Sequence, residues 1–67
     1  MESKYRNNVA EYRKAIGKTQ QQLVEETGIS DTHIQKIEYG DCAPTIYLAK
    51  KIARALSAEV EKLFPDM

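Results

Sequence analysis

Apolar side chains recur along the chain at helical spacing, and glycines divide the sequence into short segments. Val9, Tyr12 and Ile16 fall at positions i, i+3 and i+7, which places them on one face of a helix. The segments do not alternate apolar and polar residues as half-buried strands do. The pattern therefore predicts an all-α protein whose first helix covers roughly residues 3–16.

Cap residues indicate where the second and third helices begin and end. Thr19 with Gln22 three residues later indicates a capping box, and Gly28 suits the end of that helix. Ser30 is a favourable N-cap for a third helix, which ends at Gly40. Because only two residues separate the two segments, the spacing is typical of a helix-turn-helix. An ordinary helical hairpin remains the alternative for this feature alone.

Two further helices follow Pro44. Thr45 is the predicted N-cap of the fourth helix, and Ser57 is a candidate cap for a short fifth helix. The predicted apolar face of the fourth helix consists of Ile46, Ala49, Ile52, Ala53 and Leu56. The apolar side of the fifth consists of Val60, Leu63 and Phe64. The sequence thus predicts five helices in a single domain over residues 1–67.

Composition excludes several classes of protein. A length of 67 residues limits the chain to one domain, and a hydrophobic share of 42% favours a folded core over disorder. One cysteine, Cys42, cannot form an internal disulfide, and with His33 it falls short of a four-ligand zinc site. No nucleophile–base pair is apparent, so we expect neither an enzyme nor a cofactor. Without an apolar leader or a run of about 18 apolar residues, we expect a cytoplasmic chain with no membrane partner.

The net charge is zero, so no strongly basic balance points to a nucleic-acid partner. The charges are nevertheless unevenly distributed. Residues 19–41 carry a net charge of −4, whereas residues 1–18 and 42–56 each carry +3. Any case for nucleic-acid binding must therefore rest on the positions of particular residues.

The stretch from Thr19 to Gly40 reads TQQQLVEETGISDTHIQKIEYG. It resembles the core of the lambda-repressor/Cro (XRE) family of helix-turn-helix proteins, which has threonine-glutamine at the start of helix two and isoleucine-x-x-isoleucine-glutamate-x-glycine at the end of helix three. The resemblance extends over about residues 9–64, with the motif at about 20–39. It implies a compact five-helix, lambda-repressor-like DNA-binding domain with the helix-turn-helix at helices two and three.

The third helix carries the predicted DNA contacts. If Ile34 and Ile37 face the core, residues such as Thr32 and Lys36 point outward, and the resemblance implies that this face enters the major groove. The predicted base contacts are Asp31, Thr32, Gln35 and Lys36. The predicted phosphate contacts are Gln20, Thr19, Ser30, Tyr39 and Gly40. The alternative is a plain solvated face, with Asp31 only stabilising the positive end of the helix.

The resemblance also suggests contacts that hold the domain together. Arg13 and Glu38 are expected to form an ion pair that braces the third helix.

The predicted dimer interface consists of Val60, Leu63, Phe64, Met67 and Tyr47. For Val60, Leu63 and Phe64 the alternative is that they close the core of the monomer.

The family pattern is not matched everywhere. Val24 lies where the family usually has alanine, Lys18 where an apolar residue is common, and Asp41-Cys42 in a loop that is frequently basic.

The best interpretation is a sequence-specific DNA-binding transcriptional regulator, of the phage, plasmid or mobile-element repressor type or a restriction-modification controller. It would bind a double-stranded DNA operator as a homodimer. The alternative is an antitoxin-like or protein-interaction module that uses the same fold to bind a partner protein.

Overall fold

The computed structural model describes residues 5–65, which form five helices and no strand. They are α1 (Val9–Ala15), α2 (Gln20–Thr27), α3 (Asp31–Tyr39), α4 (Ile46–Ala55) and α5 (Val60–Leu63). The prediction of an all-helical fold is confirmed. None of these helices is both long and apolar enough to span a membrane.

The predicted N-caps form as expected for three helices. The Thr19 hydroxyl accepts a hydrogen bond from the Gln22 amide at 3.0 Å, and the Gln22 side chain accepts one from the Thr19 amide at 2.8 Å. The Ser30 hydroxyl accepts from the His33 amide at 3.2 Å, and Thr45 caps α4 in the same way. These bonds satisfy amides that a helix start leaves without partners, so the caps fix where α2, α3 and α4 begin.

One core lies between the helices. α2 packs against both α3 and α4, and α4 packs against α5. The buried apolar residues are Val9, Leu23, Ile29, Ile34, Ile37, Ala49, Ile52, Ala53, Leu56, Leu63 and Phe64. Because α3 buries one side against this core, its opposite side is left to solvent.

The first helix is shorter than predicted. Residues 5–8 are not helical, and α1 begins at Val9 rather than near residue 3; residues 3 and 4 lie outside the described part. The Asn7 side chain accepts from the Val9 amide at 3.0 Å and donates to the Ile37 carbonyl at 2.7 Å. The Asn8 side chain and amide donate to the carbonyls of residues 62 and 63, both at 2.8 Å. These bonds hold the segment against α3 and α5 and prevent it from continuing α1 upstream.

Two isoleucines predicted on apolar faces are exposed. Ile16 is the C-cap of α1 and is 50% exposed, because the helix ends before it completes the apolar stripe. Ile46, the first residue of α4, is 56% exposed. The periodic pattern is thus wrong at the last position of one helix and the first position of another.

Ser57 does not cap α5, whose N-cap is Glu59 without a side-chain hydrogen bond. It ends α4 instead. The Ser57 amide donates to the Arg54 carbonyl at 3.2 Å, and the Ala58 amide donates to the Ala53 carbonyl at 2.9 Å. This is the pattern of a Schellman motif. It places Ser57 at φ 53°, a left-handed backbone conformation that residues other than glycine rarely adopt.

Ser57→Gly is expected to raise the free energy of unfolding by about 1 kcal/mol, because glycine adopts a left-handed conformation without the penalty of a side chain. Urea denaturation followed by circular dichroism measures the change. The matched control is Gly17→Ser, at the equivalent left-handed position after α1 (φ 74°). No atom lies within 4 Å of a Cβ placed there, so that variant should lose stability through the backbone alone. A Ser57→Gly protein that unfolds at lower urea would contradict this account.

Candidate nucleic-acid interface

The outward face of α3 presents a row of polar side chains. Thr32, Gln35 and Lys36 are exposed, while Ile34 and Ile37 on the opposite side are 1% and 0% exposed. The face lines a broad, open groove of about 560 Å³. The groove is lined by Ala10, Gln20, Thr32, Gln35, Lys36, Glu38, Tyr39 and Asp41. Residues from α1, α2 and α3 thus meet on one surface.

The predicted base contacts Asp31 and Gln35 are joined to each other. The Gln35 amide nitrogen donates to the Asp31 carboxylate at 3.0 Å, across one turn of α3. The Gln35 side chain keeps its carbonyl oxygen and a second N–H, which together match the major-groove edge of adenine. Asp31 therefore accepts a hydrogen bond from Gln35 within the protein. The side chains of Thr32 and Lys36 make no hydrogen bond to another described residue.

The predicted phosphate contacts lie around this face. Thr19 and Ser30 are exposed caps whose hydroxyl oxygens accept from backbone amides, so each hydroxyl hydrogen is left to donate elsewhere. Tyr39 is 55% exposed. Gly40 is buried, its amide donates to the carbonyls of residues 36 and 37, both at 3.1 Å, and its carbonyl accepts from the Tyr5 amide at 3.1 Å. Its backbone therefore has no free donor for a phosphate, contrary to the prediction.

Gln20 is the predicted phosphate contact with the most defined geometry. It is the first residue of α2 and is half-buried. Its amide nitrogen donates to Glu38 Oε1 at 2.9 Å. The link between Gln20 and Glu38 was not predicted from the sequence.

Arg13 and Glu38 lie together beneath the interface. Arg13 Nε donates to Glu38 Oε2 at 2.8 Å, and Nη2 donates to Oε1 at 3.2 Å. A third bond runs from Arg13 Nη1 to the Lys18 carbonyl at 2.8 Å. The two side chains are only 9% and 6% exposed. This forked pair ties α1, the following turn and α3 into one rigid unit.

Lys18, a departure from the family pattern, reaches away from α1. Its ammonium group donates to Glu26 at 2.5 Å and to the Ala55 carbonyl at 2.7 Å. The carbonyl belongs to the last turn of α4, where a cation is favourable. The lysine therefore replaces an apolar contact with bonds that join α2 to α4. Val24, the other packing departure, is half-buried against the core.

The predicted dimer residues fall into different environments. Leu63 and Phe64 are 0% and 5% exposed and belong to the core of the monomer. Their side chains therefore offer little surface to a second copy, as the alternative interpretation expected. Val60 is half-buried, Tyr47 is 64% exposed, and Met67 lies outside the described residues.

A surface at the junction of α4 and α5 includes residues that were not predicted from the sequence as part of an interface, among them Ile46. We call this surface the α4–α5 groove; it has a volume of about 320 Å³ and is lined by Ile46, Lys50, Val60, Glu61 and Phe64. Ile46 was assigned to the core by its spacing. Its position directly after the N-cap Thr45 was the available signal, because the first residue of a helix has no preceding turn to cover it.

Among residues 5–65, no three His, Cys, Asp or Glu side chains are grouped so that they could hold a metal ion.

Comparison with known proteins places the chain among helix-turn-helix proteins. The helix-turn-helix family model matches residues 9–63. The chain is 43% identical over 60 residues to the cryptic phage CTXphi transcriptional repressor RstR of Vibrio cholerae, covering 90% of this chain. The chain spans only about half (54%) of that repressor.

Two other similar proteins are closer in length. An uncharacterised HTH-type transcriptional regulator of Methanothermobacter thermautotrophicus is 40% identical over 60 residues, which cover 88% of this chain and 87% of the relative. The crystal structure of the restriction-modification controller protein C.AhdI of Aeromonas hydrophila superposes with a TM-score of 0.79 at 28% identity. That match covers 85% of this chain and 86% of C.AhdI.

Proposed function

This chain belongs to the XRE-type helix-turn-helix family of DNA-binding transcriptional regulators, and on that premise we propose that it binds operator DNA sequence-specifically with α3 in the major groove. The observation that supports this most directly is the exposed face of α3, from which Thr32, Gln35 and Lys36 project into solvent. The buried ion pair of Arg13 and Glu38 holds α3 in place. The second helix of such a motif is the one that reads base edges. The proposed regulator is cytoplasmic and is of the phage, plasmid or mobile-element repressor type or of the restriction-modification controller type.

The residues of α3 divide the reading of bases between them. Lys36 donates to the guanine acceptors N7 and O6, and the Thr32 methyl packs on a thymine methyl. Gln35, held by Asp31, presents its oxygen and remaining N–H to adenine. Thr19, Gln20, Ser30 and Tyr39 bind the phosphates on either side and set the register.

The charge of the motif shapes its binding. Because residues 19–41 carry −4, most phosphate contacts come from neutral donors rather than from cations. Each phosphate neutralised by a cation makes the slope of log K against the logarithm of the salt concentration more negative by about 0.9. The proposal therefore includes weak non-specific binding and a shallow salt dependence.

Binding involves a second copy of the chain, because one recognition helix reads only half of an operator. We place the dimer contact at the α4–α5 groove, with Tyr47 beside it. Ile46 and Val60 supply apolar surface, and Lys50 and Glu61 are of opposite charge. In a two-fold symmetric contact the same patch meets itself, so Lys50 of one copy can face Glu61 of the other.

Fluorescence anisotropy with DNA from upstream of the chain's own gene tests the proposal at two salt concentrations. Lys36→Ala is expected to weaken the best site by about 1–3 kcal/mol and to change the ranking of sites with single-base substitutions. The control Gln20→Ala should weaken all sites alike, because it removes a phosphate contact.

An unchanged ranking with Lys36→Ala would show that Lys36 does not read a base. Absence of binding to any genomic fragment at low salt would overturn the proposal that the protein is a DNA-binding regulator. It would instead favour the protein-interaction module, for which the acidic charge of residues 19–41 is the supporting observation.

A further inference from the structure

The Glu38 carboxylate is shared by two other structural elements. Arg13 of α1 binds both of its oxygens, and Gln20 of α2 donates to Oε1 at 2.9 Å. The Glu38 side chain is only 6% exposed. Glu38 therefore does more than pair with Arg13, since it also fixes the side chain at the start of α2.

The chemistry of the two partners decides how the Gln20 amide is oriented. An ionised carboxylate only accepts hydrogen bonds, whereas a glutamine amide has a donating nitrogen at one corner and an accepting oxygen at the other. Glu38 therefore holds the nitrogen of Gln20 toward itself. One N–H of that nitrogen is used, and the second remains available for another acceptor.

The position of Gln20 indicates what that acceptor is. It is the first residue of α2, where free backbone amides also favour an anion, and its side chain lines the groove beside Thr32 and Lys36. A phosphate oxygen accepts but does not donate. An amide rotated by a half turn would present its oxygen to the phosphate and repel it.

We propose that Glu38 is a positioning residue that orients the Gln20 amide so that its second N–H donates to a DNA phosphate. Arg13 balances the charge of Glu38, so the nearby carboxylate does not itself repel the DNA. This inference rests on the proposed DNA binding. It adds that the buried pair affects affinity through Gln20 and not only through the stability of the fold.

A double-mutant cycle separates these two roles. Operator affinity is measured for the wild type, Gln20→Ala, Glu38→Gln and the double variant, at a temperature where circular dichroism shows each to be folded. Glu38→Gln keeps the shape but can present either a donor or an acceptor to Gln20. It is expected to weaken binding about tenfold in the wild-type background, the size of one hydrogen bond to a charged group.

The same change should have no effect in the Gln20→Ala background, because the residue it positions is gone. An equal loss in both backgrounds would overturn the proposal and leave Glu38 as a brace alone. Wild-type protein that binds no DNA would instead refute the proposed function. The two failures can be told apart, because the hydrogen bond between Gln20 and Glu38 can be tested in the absence of DNA.

NMR of the free wild-type protein provides that test, and it applies even if Glu38→Gln does not fold. One proton of the Gln20 side-chain amide should exchange with solvent more slowly than the other. Both protons of Gln21, an exposed glutamine in the same turn, serve as the matched control. A Gln20 amide whose protons exchange like those of Gln21 would show that Glu38 does not hold it, which overturns the proposal.

Discussion

Glu38→Ala is expected to lower the free energy of unfolding by about 3–5 kcal/mol, because it leaves the Arg13 guanidinium buried without its counter-charge. The Arg13 side chain is 9% exposed and donates three hydrogen bonds, two of them to the Glu38 carboxylate. At about 0.05–0.15 kcal/mol per residue, a domain of 67 residues has a total stability of about 3–10 kcal/mol, so the variant should lose a large part of it. Thermal and urea unfolding followed by circular dichroism measure the change.

The matched control is Glu26→Ala, which removes a carboxylate from the more exposed ion pair of Glu26 with Lys18. The Lys18 and Glu26 side chains are 25% and 42% exposed, so solvent screens that pair and the loss should be at most about 1 kcal/mol. An unfolding midpoint for Glu38→Ala no lower than that of Glu26→Ala would show that the buried pair does not brace the fold.

Ile46→Asp is expected to convert the proposed dimer to a monomer and to weaken operator binding by about 100-fold or more, because two half-sites can no longer be bound together. The substitution places a charge in the apolar part of the α4–α5 groove. It should leave the monomer folded, since Ile46 is 56% exposed and an acidic residue is favourable in the first turn of α4. Sedimentation equilibrium reports the oligomeric state, and anisotropy reports the affinity.

Ile16→Asp is the control for the oligomeric state. It makes the same chemical change at a side chain that is 50% exposed, but Ile16 lies at the end of α1 rather than in the α4–α5 groove. The control should sediment as the wild type does. A wild-type protein that is monomeric at high concentration, with and without operator DNA, would remove the dimer from the proposed function.

Local signals in the sequence predicted the fold well. Thr19, Ser30 and Thr45 each accept a hydrogen bond from an amide three residues later, so the start of a helix depends on a short stretch of sequence. The errors at Ile16 and Ile46 occur where helical periodicity stops, because spacing alone does not say which turn is the last. The short α1 had no local signal, since the segment before it is held by carbonyls of α3 and α5.

The candidate site was predictable to a different degree. Lys36 and Thr32 follow from the geometry of α3 once Ile34 and Ile37 face the core. The bonds of Gln20 to Glu38 and of Gln35 to Asp31 depend on which rotamer each side chain adopts, and the helical pattern does not contain that information. Arg13 and Glu38 are 25 residues apart in sequence, so their pairing was inferred from the family resemblance and not from spacing.

The bonds from Asn8 to the carbonyls of residues 62 and 63 have a consequence for how the domain opens. They join positions 54 and 55 residues apart, so α1 and α5 are linked directly as well as through the core. Fraying of α5 must therefore break the same contacts that hold the segment before α1. Terminal helices usually exchange their amide hydrogens by independent local opening. Here we expect the two ends to open together, so that their amides exchange in a shared opening event.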